Sequence, residues 1–153
     1  ENLLSEDEVL LNEQGVIPKR DDVRLSVSEV LTYSRELEER SVLFHRTGGV
    51  HCAALVIMEP FILQEDISRH VAVDKVLVTA CFEKFDEGGI LVFSGRVPVE
   101  ILQKVGAMGC SVLIAKSAPT NYSCRLAQQL GITLIGFARD ETFNIYSHPE
   151  RIL

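Results

Sequence analysis

A chain of 153 residues, 46% hydrophobic and 24% charged, carries enough apolar matter for one globular domain with a sizeable core. Its formal charge of −7 argues against a general nucleic-acid binder, because proteins that track phosphate backbones carry a basic face. No apolar run reaches the roughly 18 residues of a membrane span and the acidic start from Glu1 to Glu8 is unlike a signal peptide, so a cytoplasmic protein without a membrane partner is expected.

In chain order, Glu1 to Arg20 is acidic and amphipathic and reads as a short helix or arm ending at Gly15 and Pro18. Ser26 and Glu29 have capping-box spacing, and Val27, Val30, Leu31 and Leu37 predict a helix through Glu39. Residues 1–40 are thus expected as arm and helix, with residues 41–153 as the α/β core of one globular domain. Ser41 to Arg46 leads into Thr47-Gly48-Gly49-Val50-His51, where paired glycines either let backbone amides approach an anion or form an ordinary turn. Cys52 to Met58 and Phe61 to Gln64 read as a hairpin around Glu59-Pro60. Glu65-Asp66-Ile67-Ser68-Arg69-His70 then gathers two carboxylates, an arginine and a histidine at the start of a helix running from Arg69 to about Phe85. Asp66 or Ser68 either caps that helix or joins the site.

Beyond Gly88-Gly89 the pattern alternates. Strands are predicted over Ile90 to Phe93, Cys110 to Ala115 and Thr133 to Ala138, with helices over Pro98 to Met108 and Thr120 to Leu130 closed by Gly109 and Gly131. This βαβαβ order predicts a mixed but largely parallel sheet with helices on both faces. Ligands of open α/β sheets gather beyond the carboxyl ends of the strands. Here those ends read Ser94-Gly95-Arg96, Lys116-Ser117-Ala118-Pro119-Thr120 and Arg139-Asp140-Glu141-Thr142. Each strand delivers a basic residue, and the first two add hydroxyls ahead of a helix, which suits phosphate; alternatively Ser94, Ser117 and Thr120 only cap helices. By charge and loop position the Gly48 and Gly49 amides, Arg69, Arg96, Lys116 and Arg139 are candidate anion contacts. His51 and His70 either donate to phosphate or are structural, bonded to Asp66 or a main-chain carbonyl, and Asp66 and Asp74 are expected to orient these bases.

The four cysteines, Cys52, Cys81, Cys110 and Cys124, are widely spaced without a Cys-x-x-Cys and three of them sit inside apolar segments, which predicts buried thiols, no disulfide framework and no bound metal.

Thr47 to His51, Glu65 to His70 with Ala72, Asp74 and Lys75, Ser94-Gly95-Arg96 with Glu100, Ser117 to Thr120, and Gly136-Phe137-Ala138-Arg139 with Asn144, Ile145 and Tyr146 together resemble the formate dehydrogenase accessory sulfurtransferases, the FdhD family. The resemblance runs from about Ser41 to the C-terminus and keeps order and spacing. It implies a core similar to the cytidine deaminase fold, a three-layer α/β/α sandwich, in a homodimer. It also implies binding of the molybdenum bis(molybdopterin guanine dinucleotide) cofactor, with GDP as a mimic, sulfur accepted from a cysteine desulfurase as a persulfide, and delivery to formate dehydrogenase. The family's C-terminal cofactor contact falls on Phe137, Ala138, Arg139, Asp140, Glu141 and Thr142, where a ring can pack on guanine and a guanidinium can pair with phosphate.

Three departures stand out: Ser68 where glycine is common, Val71 where asparagine is common, and Pro98. The family's persulfide cysteine belongs to an upstream Cys-Gly-x-Cys-Gly segment, and none of the four cysteines here matches it. The chain therefore reads as a C-terminal part of such a protein with no catalytic cysteine of its own, so that sulfurtransferase activity is expected of the whole protein only. A cofactor chaperone or binding module without sulfur transfer is the alternative. A deaminase-like nucleotide hydrolase is disfavoured, since Ala53 stands two positions after His51 where His-x-Glu would place its glutamate, and no Pro-Cys-x-x-Cys is present.

Overall fold

Continuous apolar tetrapeptides, Ile90 to Phe93 and Val112 to Ala115, can be satisfied only by burial on both faces of a sheet, and they form its centre. The computed structural model describes residues 22–56, 61–83 and 89–153. The expected arm from Glu1 to Arg20, the Ile57-Met58 strand end, the Glu59-Pro60 turn, the expected helix end near Phe85 and Gly88 lie outside the described residues.

The elements are α1 (Val27–Arg40), α2 (Val42–Thr47), β1 (His51–Val56), β2 (Ile62–Asp66), α3 (Arg69–Phe82), β3 (Ile90–Phe93), α4 (Val99–Ala107), β4 (Val112–Ala115), α5 (Asn121–Leu130), β5 (Thr133–Arg139) and β6 (Thr142–Ser147). Helix starts follow local chemistry. Ser26 and Glu29 make the full capping box of α1, and Thr120 caps α5 by accepting from the Ser123 amide at 3.1 Å. Gly131 closes α5 in the left-handed conformation, φ +71°, that glycine adopts without strain.

The six strands form one sheet in the order β2-β1-β3-β4-β5-β6. Among the described strands, β3–β4 and β4–β5 pair in parallel, whereas β1–β2, β1–β3 and β5–β6 are antiparallel, so the sheet is mixed and not largely parallel as expected. The reason is topological. β1 lies between β2 and β3 and opposes both, which makes β2–α3–β3 a crossover split by a strand, and the β5–β6 hairpin adds an antiparallel edge.

Alternate residues of each strand feed two cores. Ala53, Leu55, Leu91, Phe93, Leu113 and Leu134 face α3, α4 and α5, meeting Val73, Val76, Ile101, Leu102, Leu126 and Leu130. Cys52, Ala54, Ile90, Val92, Val112, Ile114 and Ile135 face the other way, onto Leu25, Val30 and Leu37. Helix α1 thus shares the core of the residues that follow it. Leu113 is fully buried in β4, an interior strand; Leu113→Ala is expected to cost about 2–5 kcal/mol, read as a lower urea midpoint with little change in slope.

Candidate functional site

The parallel strands β3, β4 and β5 end at one side of the sheet, where the antiparallel β1 begins. There a cleft of about 570 Å³ opens. Eight of the candidate residues line it: Gly48, Gly49, His51, Ser94, Lys116, Ser117, Arg139 and Asp140. Val50, inside the paired-glycine segment, and Cys52, the first residue of the expected hairpin strand, also line it, as do Glu38 and Phe44, which nothing in their sequence context marked. Glu38 and Phe44 reach the cleft only because α1 and α2 pack at the carboxyl ends of the strands, a tertiary fact without a local signature.

Ser94 is the junction of the floor. Its hydroxyl accepts from the Cys52 amide at 2.9 Å, its own amide donates to the Cys52 carbonyl at 3.0 Å, and its carbonyl accepts from the Ser117 hydroxyl at 3.4 Å. His51 Nδ1 stands 3.4 Å from the same hydroxyl. Gly95 follows because a Cβ there would lie 2.7 Å from the Phe93 ring. Partial burial, then the nearby Arg69 charge, holds the His51 pKa below its ordinary value and favours the neutral imidazole.

The charges of the lining are mutually engaged. Lys116 Nζ forms an ion pair with Glu38 Oε2 and approaches the Ser34 carbonyl at 3.4 Å. Arg139 Nε donates to the Lys116 carbonyl at 2.9 Å, which aims the guanidinium across the end of β4. Arg139 and Asp140 sit where β5 turns into β6. Phe137 and Asp140 both adopt left-handed backbone, φ 54° and 51°, a conformation that costs a residue with a Cβ about 1–3 kcal/mol. Between Gly136 and Arg139 the pairing register shifts, so β5 carries one residue more than β6 in a bulge. The amides expected to cradle an anion are already used: the Gly48 amide closes α2 on the Phe44 carbonyl at 2.8 Å, and the Gly49 amide donates to Thr47 Oγ1 at 3.2 Å.

The remaining candidates lie outside the lining. Arg69 heads α3, near enough for His51 to feel its charge. His70 is half-buried in the first turn of α3, its carbonyl 3.5 Å from Lys104 Nζ. Arg96 is exposed in the β3–α4 loop, Thr120 is the cap of α5, and Phe137, Glu141 and Thr142 are exposed. Ala138 is buried and its carbonyl accepts from Ser34 Oγ at 2.7 Å. Asp66 and Asp74, expected to orient the histidines, pair instead with Lys75 and Lys104, each at 2.6 Å: Asp66 at the end of β2 meets Lys75 of α3, and Asp74 of α3 meets Lys104 of α4. Ser68 caps α3 through the Val71 amide. Among the described residues no three His, Cys, Asp or Glu side chains are grouped to hold a metal. Burial raises the pKa of the Cys52 and Cys124 thiols and pushes Cys110 up to about 12, while Cys81 is exposed in the last turn of α3.

The architecture defines an α/β domain with a crevice of small-ligand size, lined by both polar and apolar groups, at the carboxyl ends of its parallel strands. The chain belongs to the FdhD/NarQ family, whose sequence model matches residues 5–153. It is 40% identical over 138 residues to the sulfur carrier protein FdhD of Methanothermobacter thermautotrophicus, covering 89% of this chain and 55% of that protein. Against the sulfur carrier protein FdhD of Staphylococcus haemolyticus it is 45% identical over 133 residues, 85% of this chain and 50% of the relative. A solved structure from Desulfotalea psychrophila, described as a formate dehydrogenase accessory protein, matches with a TM-score of 0.83 at 28% identity over 93% of this chain and 62% of that one. The chain spans about half the length of the curated relatives it matches. Among the described residues, no helix is long and apolar enough to cross a membrane.

The lowered His51 pKa ties stability to pH. The unfolded chain binds the imidazole proton more tightly, so the contribution of neutral His51 is complete above the ordinary value of 6.5 and is lost as pH falls from there through the lowered folded value. His51→Gln is expected to flatten that part of the profile, read as the change in Tm between about pH 7.5 and about pH 5.5.

Proposed function

We propose that the cleft binds the guanine-nucleotide part of a phosphorylated cofactor, and that in the whole protein this binding serves the sulfur carriage for which its relatives are named. On this reading the molybdenum bis(molybdopterin guanine dinucleotide) cofactor is cargo. A cysteine desulfurase supplies the sulfur, and formate dehydrogenase receives the sulfurated cofactor in the cytoplasm. The homodimer and the cytidine deaminase-like kinship of the core belong to the same reading.

The observation that carries it is convergence: three successive parallel strands deliver Ser94, Lys116 with Ser117, and Arg139 with Asp140 into one crevice. Its volume of about 570 Å³ lies within the range of small-molecule sites, roughly 300–1,000 Å³. It suits one nucleotide arm of the cargo, with the rest outside. The Ser94 hydroxyl and the guanidinium nitrogens of Arg139 other than Nε are donors for phosphate oxygens, and the Ser117 hydroxyl can join them only by leaving the Ser94 carbonyl.

Sulfur transfer itself is assigned elsewhere in the whole protein, to the family's upstream Cys-Gly-x-Cys-Gly segment. A persulfide forms on a thiolate, and burial disfavours the thiolate at Cys52, Cys110 and Cys124. For this stretch by itself the function is binding, which is also what a cofactor chaperone without sulfur transfer would do.

Calorimetric titration with GDP, with GMP and ATP as controls, tests the reading, which requires selective GDP binding. Arg139→Ala is expected to weaken GDP by about tenfold or more, the worth of a hydrogen bond to a charged group. Arg96→Ala, outside the lining, is expected to change it by less than about threefold. Equal losses at the two positions would move the site away from the cleft.

A further inference from the structure

The lining holds a carboxylate that the phosphate reading leaves unused. Glu38, in the last turn of α1, pairs through Oε2 with Lys116. The two partners are not equally presented. The Lys116 side chain is only 18% exposed, and its ammonium faces Glu38 and the Ser34 carbonyl, whereas the Glu38 side chain is 47% exposed and Oε1 makes no bond among the described residues. The group offered to a ligand is therefore the acceptor, not the cation.

That acceptor is held in place. Leu37 beside it is fully buried against the sheet, and Ser34 one turn earlier donates to the Ala138 carbonyl at 2.7 Å. Lys116 fixes the carboxylate from the other side, and the Lys116 carbonyl in turn holds Arg139 Nε. A carboxylate offers about four lone-pair sites, of which the ion pair uses one. Such a group pairs with two adjacent N–H donors on a planar ring, as acidic side chains do on base edges. Asp140, the other carboxylate of the lining, is exposed at the hairpin turn and lacks comparable support.

We propose that Glu38 reads the ring of the ligand by accepting the paired N–H donors of a 2-amino-4-oxopyrimidine edge, which guanine and pterins share, and that Lys116 positions Glu38 instead of binding phosphate. This rests on the nucleotide reading of the cleft and adds a specificity determinant to it. The arrangement also explains the charge balance of the lining, in which Glu38 and Asp140 offset Lys116 and Arg139. Such a cleft favours a neutral ring with donors, while Arg139 at the rim takes the anionic end.

The test is calorimetry on the 153-residue chain with three probes: GDP, IDP, which lacks the 2-amino group, and 6-hydroxymethylpterin. The expected result is a preference for GDP over IDP of about tenfold, as a lost base-edge pair produces. Glu38→Gln should bring that ratio to within about twofold of one while IDP still binds, because Gln offers one acceptor where the edge needs two. Because both nucleotides are measured on the same variant, the ratio cancels losses in folding. Glu38→Asp, which keeps the charge but withdraws it by one methylene, should lower the ratio partway. Lys116→Met should lower it too. Pterin binding that Glu38→Gln abolishes, alongside a GDP-to-IDP ratio near one, would assign the edge to the pterin part of the cargo.

A GDP preference that survives Glu38→Gln removes Glu38 from recognition and leaves the cleft reading standing. So does equal binding of GDP and IDP without any pterin binding. Equal weakening of GDP and IDP in Lys116→Met, with the ratio kept, makes Lys116 a phosphate contact and overturns its positioning role. Failure of all three probes to bind overturns the cleft reading itself, and this proposal with it.

Discussion

Much of this domain depends on the seam where β1 runs against β3. A strand entering a parallel core in the opposite direction must match its donors and acceptors to a neighbour that was not laid down as its hairpin partner. Ser94 completes that match at the end of the ladder, taking the Cys52 amide on its hydroxyl and returning its own amide to the Cys52 carbonyl. The same residue holds the Ser117 hydroxyl and stands beside His51. Floor geometry and sheet topology are therefore one problem with one solution. A buried Gly95 is part of it, since the Phe93 ring occupies the space a side chain would need.

The fold was largely legible where local chemistry decides it. Ser26 with Glu29, Thr120 and Gly131 bound their helices as their chemistry predicts, and the apolar runs of β3 and β4 could only be interior strands. Legibility ended where partners come from afar. β6 escaped detection because an edge strand is exposed on much of its length, leaving Thr142, Asn144, Ile145 and Tyr146 without a clean alternation. The dominance of parallel pairing was overestimated for a related reason: strand and helix order does not say that β1 will insert between β2 and β3.

The candidate site divides along the same line. Residues at strand ends, such as Ser94, Ser117 and Arg139, arrive where strand order places them. Charge pairing, by contrast, depends on which side chains meet. Asp66 and Asp74 pair with Lys75 and Lys104 and not with the histidines they were expected to orient, and Lys116 pairs with Glu38, so taking Lys116 as a free cation overstated the positive potential of the cleft. Ser68 and Thr120 serve as caps, and the paired glycines end a helix that the sequence did not announce.

The bulge in β5 leaves Phe137 supernumerary. Ile135 and Ala138 lie on the same face of the sheet although three positions apart, which is possible only because one residue between them is not counted by the ladder. Excising that residue would restore ordinary alternation with Ala138 still inward and Arg139 still following it. The aromatic ring is thus an attachment to the hairpin and not a part of its framework. A lineage could exchange or discard what it displays there without redrawing the core beneath.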